Sequence, residues 1–286
     1  MLLLPNRTLT EARTTVLPRL GQINFVNCLP ITVPLLRSDL CQKADIVMGT
    51  PTELNGAFAE GLLDIGVMSS FHYLRSSDID LMPGLSISSR GAVGSVVCYS
   101  KVELNKLDKA RVAVPHCSAT SINLLLVLLA EVFGVEPKLV YEDEPNVEDA
   151  DIQAALVIGD RALAVEESWS KRFVRADLGE WWRINFDLPM VFAVWGARGS
   201  FVQQHGEQFV TIVDALRNSV KAGLGPMFQE VLQEACRRTA MSEERMRYYF
   251  TQELDFALGD RHLMSLELYR SFCEKHGLIK RAKSRR

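Results

Sequence analysis

The sequence predicts a two-lobed α/β protein with a helical C-terminal region, on three observations. Short apolar, β-branched runs alternate with helical stretches from Leu20 to Trp195, and several of the runs end in polar residues. Two continuous apolar runs, Val96-Val97-Cys98-Tyr99 and Leu188–Trp195, read as the places where the chain crosses between lobes and returns. After Phe201 the pattern is helical, with Phe209, Ile212, Val213 and Leu216 recurring at helical spacing as core positions. Residues 1–97 with 196–286 would form one discontinuous lobe, and 98–195 the other.

Composition narrows the function classes. The 286 residues are 48% hydrophobic and 23% charged, as in an ordinary soluble globular protein, and carry a formal net charge of −3. Such a balance provides no global basic field for nucleic acid. The one basic run, Lys280–Arg286, reads as a solvated tail. Residues 1 to about 18 read as an irregular extension. Met1–Leu4 is too short for a signal-peptide core, Pro5 breaks it, and no apolar run approaches the roughly 20 residues that span a bilayer. The expectation is a cytoplasmic protein with no membrane or nucleic-acid partner. Its six cysteines form no C-x-x-C pair and its five histidines show no H-E-x-x-H spacing, so they read as buried thiols and scattered imidazoles, without metal or other cofactor.

Leu20–Val26 reads as a first strand, ending in Asn27-Cys28-Leu29-Pro30. Ligands of open α/β sheets bind at such strand ends, so Asn27 is either a site residue or a cap of the next helix. Ala44–Gly49 is a second strand, followed by a helix over Glu53–Gly61 capped by Thr50 or Thr52. Asp64–Ser70 is a third strand, and it ends in the hydroxyls of Ser69 and Ser70. From Ser86 the chain becomes a polar loop with Ser88, Ser89 and Ser95 on either side of Gly91 and Gly94; it is either a cleft lining, where the glycines permit close approach to a small ligand, or an ordinary Gly/Ser turn before a strand.

A second set begins at Arg111–Val114. His116–Ser121 leads into the apolar helix Ile122–Phe133, closed by Gly134. Hydroxyls before a helix, with free N–H groups at its positive end, suit a carboxylate or phosphate; Ser118 is either part of such a site or an N-cap. Lys138–Tyr141 and Ala154–Asp160 are further strands, and Asp160 is either a cap of the helix Arg161–Glu167 or a ligand contact. Phe201–Leu224, Met227–Arg238, Ser242–Gln252 and Asp260–His276 read as helices. Two α/β lobes joined by two crossings describe a periplasmic-binding-protein-like (type II) clamshell, which closes on a ligand by hinge motion.

The motifs I-N-F-V-N-C-L-P (23–30), G-T-P-T-E-L-N (49–55), G-L-L-D-I-G-V-M-S-S (61–70), S-S-R-G-A-V-G-S-V (88–96), S-A-T-S (118–121), I-G-D-R-A-L (158–163), D-L-G-E-W-W (177–182) and L-P-M-V-F-A-V-W (188–195), taken in this order, resemble the chorismate dehydratase family of the futalosine route to menaquinone. The resemblance runs from Leu20 to Trp195. It implies a cofactor-free hydro-lyase that removes the hydrogen beside the enolpyruvyl ether oxygen of chorismate together with the neighbouring ring hydroxyl, giving 3-[(1-carboxyvinyl)oxy]benzoate. It also implies catalytic roles for Asn27 and Ser95 and a carboxylate site at Ser118, Thr120 and Ser121. With the strand-end reading, the expected substrate contacts are Ser69, Ser70, Ser88, Gly91, Ser118, Thr120, Ser121 and Asp160. Three groups are candidates for the base: the substrate's own enolpyruvyl carboxylate, Asp160 and His116. The oligomeric state stays open between monomer and homodimer.

The sequence departs from the family pattern at two places. Phe186-Asp187-Leu188-Pro189 stands where T-G-L-P is usual, and Arg90 where a small or acidic residue is common. If Phe186 and Asp187 face the cleft they alter substrate fit; Arg90 either strengthens binding of a dianion or points to solvent. Two rivals remain. One is the sister enzyme making 1,4-dihydroxy-6-naphthoate, and the other a non-catalytic carboxylate-binding or sensor protein.

Overall fold

The structure, a computed structural model, describes residues 17–280. The readings of residues 1–16 as an extension and of 281–286 as a basic tail lie outside the described residues.

The first half of the chain runs β1 (Arg19–Ile23), a 3₁₀ turn Val26–Cys28, α1 (Leu29–Leu35), α2 (Leu40–Lys43), β2 (Asp45–Gly49), α3 (Pro51–Ala59), β3 (Ile65–Ser69), α4 (Ser70–Arg75) and β4 (Ile79–Ser89). The middle runs β5 (Val96–Ser100), β6 (Arg111–Pro115), α5 (Ala119–Phe133), β7 (Lys138–Glu142), β8 (Ala154–Ile158), α6 (Gly159–Trp169), β9 (Val174–Asp177), α7 (Leu178–Phe186) and β10 (Met190–Arg198). Helices α8 (Gly199–Gln204), α9 (Gly206–Gly223), α10 (Phe228–Thr239) and α11 (Glu243–Tyr248), a π turn Tyr249–Glu253 and α12 (Asp260–Lys275) complete it.

The strands form two five-stranded sheets, ordered β2-β1-β3-β10-β4 and β7-β6-β8-β5-β9. Within the first, β1 pairs in parallel with β2 and β3 while β10 runs antiparallel to β3 and β4. The second repeats the plan, with β6 parallel to β7 and β8, and β5 antiparallel to β8 and β9. One apolar core runs through both sheets and a smaller one covers the other face of the second sheet, as strands covered on both faces require. Among the described residues, no helix is long and apolar enough to cross a membrane.

Several expected boundaries move. Ser86–Ser89 is not loop but the end of the 11-residue β4. It is held by β10 on one side and by the 255–257 segment on the other, where Ser86 and Ser88 donate N–H to the carbonyls of Phe256 and Asp255. The crossing to the second sheet therefore falls between Ser89 and Val96, and the return between Phe186 and Met190. Strand β10 pairs with β3 and β4 of the first sheet, bulging at Phe192, so the expected break after Trp195 falls inside this strand. The expected helix Phe201–Leu224 breaks at His205 into α8 and α9. Thr50, not Thr52, caps α3, in a reciprocal box with Glu53. Among the cysteines, Cys28, Cys98 and Cys273 are buried, but Cys41 is exposed and Cys117 and Cys236 are half-buried.

Candidate active site

The C-terminal ends of the parallel strands of both sheets face one another, and two hydrogen bonds cross between them. Beyond β1, the Val26 N–H donates to Asp160 Oδ1, beyond β8, at 3.3 Å. Beyond β3, the Phe71 N–H donates to Thr120 Oγ1, beyond β6, at 3.0 Å. Strand ends from two sheets thus enclose one cleft, the arrangement in which α/β proteins bind ligands.

The dipeptide Gly159-Asp160 at the start of α6 joins the two expected catalytic residues. The Gly159 N–H donates to the Ser95 carbonyl at 2.7 Å, while Asp160 holds the 3₁₀ turn that carries Asn27. The side-chain Oδ1 of Asn27 is buried and accepts no hydrogen bond from the described residues. A buried acceptor left open costs stability unless something meets it, which makes Asn27 Oδ1, at a strand end, a candidate ligand contact. Asn27 is not a helix cap: α1 begins after Cys28 without a side-chain capping bond. Nor does Asp160 cap α6, whose N-cap is Ile158. Burial raises the Asp160 carboxyl above the usual Asp range, opposed by the Val26 N–H and the nearby Arg238.

Ser95 is 3% exposed, and its Oγ bonds to the Tyr249 hydroxyl at 2.8 Å. The loop that delivers it is fixed by one carboxylate. Asp177 accepts from the backbone N–H groups of Val93 at 3.0 Å and Gly94 at 2.8 Å, and caps α7 through those of Gly179 and Glu180 at 3.0 and 3.1 Å. Gly94 adopts φ +68°, and a Cβ there would stand 2.7 Å from the Glu253 carboxylate. Gly179 lets the loop pack close, since its Cβ would meet Ser89 Oγ at 2.4 Å and the Gly91 carbonyl at 2.6 Å. Around this loop runs a chain of charges. Arg245 bridges Glu253 (2.7 Å) and Glu166 (2.9 Å), and Arg175 reaches Glu166 (3.4 Å) and Asp177 (3.3 Å). Burial raises the Glu253 carboxyl, against the Arg245 guanidinium.

The other expected contacts divide. Ser69 accepts from the His72 N–H and caps α4, and Ser70 donates to the Val191 carbonyl at 2.7 Å. Thr120 ties α5 to two neighbours, since its carbonyl also accepts from the Tyr269 hydroxyl at 3.1 Å. Ser118 occupies the N-cap position of α5 but does not cap it; its hydroxyl donates to Ser121 Oγ at 2.7 Å. Ser88 turns away from the cleft and donates to the Asp255 carbonyl at 2.8 Å. His116 is exposed beside the Tyr141 ring. A groove of about 720 Å³ lined in part by Leu85, Arg217, Val220, Phe250 and Leu254 contains none of the expected site residues. We place the site at the strand ends, where polar groups converge.

The departures from the family pattern point away from the cleft. Phe186 packs against Trp182 and Phe272 at 4.6 and 5.1 Å between ring centroids. Asp187 is the left-handed C-cap of α7, φ +56°, and its exposed carboxylate pairs with Arg183 and Arg261. Glycine suits that conformation, and Asp is among the few side chains that tolerate it. Arg90 pairs with Asp255 at 2.6 Å. Burial acts to raise the Asp255 carboxyl, but His262, Arg90 and the Ala257 N–H outweigh it and hold it well below the usual range.

Tyr249, Asp177, Glu253 and Arg245 escaped the sequence reading. For Asp177 a signal exists: Asp-Leu-Gly-Glu has the spacing of a helix N-terminus with an acid three residues on. The other three come from the C-terminal helical region, whose segment pattern shows only amphipathic helix.

The family described as menaquinone biosynthesis matches residues 18–275. A chorismate dehydratase of Thermus thermophilus is 31% identical over 219 residues, covering 71% of this chain and 78% of that protein. Among solved structures, the alkanesulfonate-binding protein SsuA of Xanthomonas axonopodis pv. citri, bound to MOPS, superimposes with a TM-score of 0.69 at 14% identity, over 94% of this chain and 96% of that one. A Candida albicans protein with the generic periplasmic binding protein fold gives 0.67 at 10% identity, over 94% and 92%. These two likenesses establish the two-lobed clamshell and nothing about its ligand.

Proposed function

The chain belongs to the chorismate dehydratase family of menaquinone biosynthesis, and on that premise we propose that it eliminates water from chorismate to give 3-[(1-carboxyvinyl)oxy]benzoate, with Ser95 and Asn27 as catalytic groups. The carrying observation is the open, buried Oδ1 of Asn27, on a turn linked to Ser95 through Gly159-Asp160.

In this reading the ring hydroxyl of chorismate donates to Asn27 Oδ1, and Ser95 donates to the oxygen of that hydroxyl as it departs. The enolpyruvyl carboxylate takes the ring proton beside the ether oxygen. The C–H electron pair becomes the new ring double bond, and the C–O pair leaves with the hydroxyl, which takes that same proton from the enolpyruvyl carboxylate to become water. The sum is chorismate to aromatic product plus water. It balances without an oxidant, so the proposal invokes no cofactor. Asp160 is then a positioning group for the Asn27 turn, not the base. The ring carboxylate of the substrate is assigned to the Ser118–Ser121 start of α5, whose first-turn N–H groups have no intrahelical acceptor. Substrate entry requires the lobes to part, and we place the hinges at the 90–95 and 187–189 crossings. A biosynthetic role of this kind fits the cytoplasm.

The test is incubation of the purified protein with chorismate, followed by mass detection. The expected product is an aromatic compound one water lighter. Unchanged chorismate together with ligand-induced thermal stabilisation would instead support the binding-protein reading.

A further inference from the structure

We propose that Tyr249 is a positioning residue that fixes the direction in which the Ser95 hydroxyl presents its hydrogen; the inference rests on the dehydratase reading above. The two hydroxyls lie 2.8 Å apart and both are buried, Tyr249 at 1% exposure. A phenol is a stronger acid than an aliphatic alcohol, so the tyrosine donates and the serine accepts. Serine has a single hydrogen. With Ser95 Oγ receiving a bond from Tyr249, that hydrogen remains for the cleft, where the departing oxygen needs a donor. Burial pushes the Tyr249 hydroxyl far above the usual tyrosine range, so it keeps its proton at any working pH.

The surroundings hold the ring in this role. Tyr249 opens the π turn, in which Leu254 N–H donates to the Tyr249 carbonyl at 3.0 Å. Single π turns are found frequently at functional sites. The Arg245 guanidinium sits 5.8 Å from the ring centroid and is itself held by Glu253 and Glu166. The turn therefore carries both the donor to Ser95 and, through Glu253, the carboxylate against Gly94.

The test is Tyr249→Phe in the full chain, which keeps the ring and removes the hydroxyl. It is assayed for chorismate turnover beside Ser95→Ala and the double variant, each with a thermal melt. The expected result is a kcat lowered about tenfold with KM unchanged, and no added loss when Tyr249→Phe is placed on Ser95→Ala. A kcat within about twofold of wild type, or the same fold-loss in the Ser95→Ala background, would overturn the proposal. If the single variant melts early because Ser95 has lost its donor, the double variant, which leaves no orphaned hydroxyl, carries the same comparison against Ser95→Ala. Wild-type protein that leaves chorismate unchanged would sink the dehydratase reading and this inference together. Wild-type turnover with an indifferent Tyr249→Phe would sink this inference alone.

Discussion

Asp177→Asn is a small chemical change with a large expected effect. The carboxylate is 2% exposed and its two oxygens serve opposite sides. Oδ1 accepts from Val93, Gly179 and Glu180, and Oδ2 from Val93, Gly94 and the Arg175 guanidinium. An amide offers one acceptor and one donor. With its oxygen toward α7, its NH₂ confronts the Gly94 N–H and Arg175. The flipped amide instead strands the Gly179 and Glu180 N–H groups. Either way at least one buried N–H loses its partner and a second donor is opposed, at a cost of about 3 kcal/mol. At about 2–4 °C per kcal/mol the melting temperature falls by about 6–12 °C. Ser95 follows Gly94 directly, so the loosened loop also lowers kcat. Calorimetric melts read the first effect and turnover of chorismate by the folded variant the second. A melt within about 2 °C of wild type would refute the claim that one carboxylate anchors the crossing.

Two further substitutions probe separate parts of the account. Asp160 has a folded-state pKa raised by burial, so its favourable contribution is complete below the unfolded value of about 3.9 and is lost as pH rises through the folded value. Asp160→Asn keeps an acceptor for Val26 N–H without the charge. It is expected to melt above wild type near neutral pH, with the gap closing toward about pH 4; a gap that does not change with pH would contradict this. Asp187→Gly relieves a left-handed residue and removes only exposed ion pairs, so the melt and the KM for chorismate should stay within about 2 °C and about twofold of wild type. A several-fold KM change would place this position in the cleft after all.

The wound sheets were legible where a strand is a short apolar run stopped by a polar residue or glycine, as in Ile65–Ser69 and Ala154–Ile158. Asn27 could be singled out from a strand end, and Ser95 from a glycine-flanked loop. Strand β4 was not legible. Its serine-rich end, from Ser86, read as loop, and the segment is a strand because β10 and residues 255–257 flank it. The same limit hid Tyr249, whose partner lies 154 positions away, and the four N–H groups that meet at Asp177. Phe186 and Asp187 looked like changes to a cleft because the motif gives position but not direction. The end of α7 turns them toward Phe272 and Arg261.

The claim that Ser95 and Asn27 together carry the dehydration is tested most directly by kcat for chorismate in Ser95→Ala and Asn27→Ala. Each variant removes one preorganised group from a buried site. The account predicts that each lowers kcat on the order of 10²–10³-fold while the fold persists. Turnover near wild type in both would contradict it and move the chemistry elsewhere in the cleft.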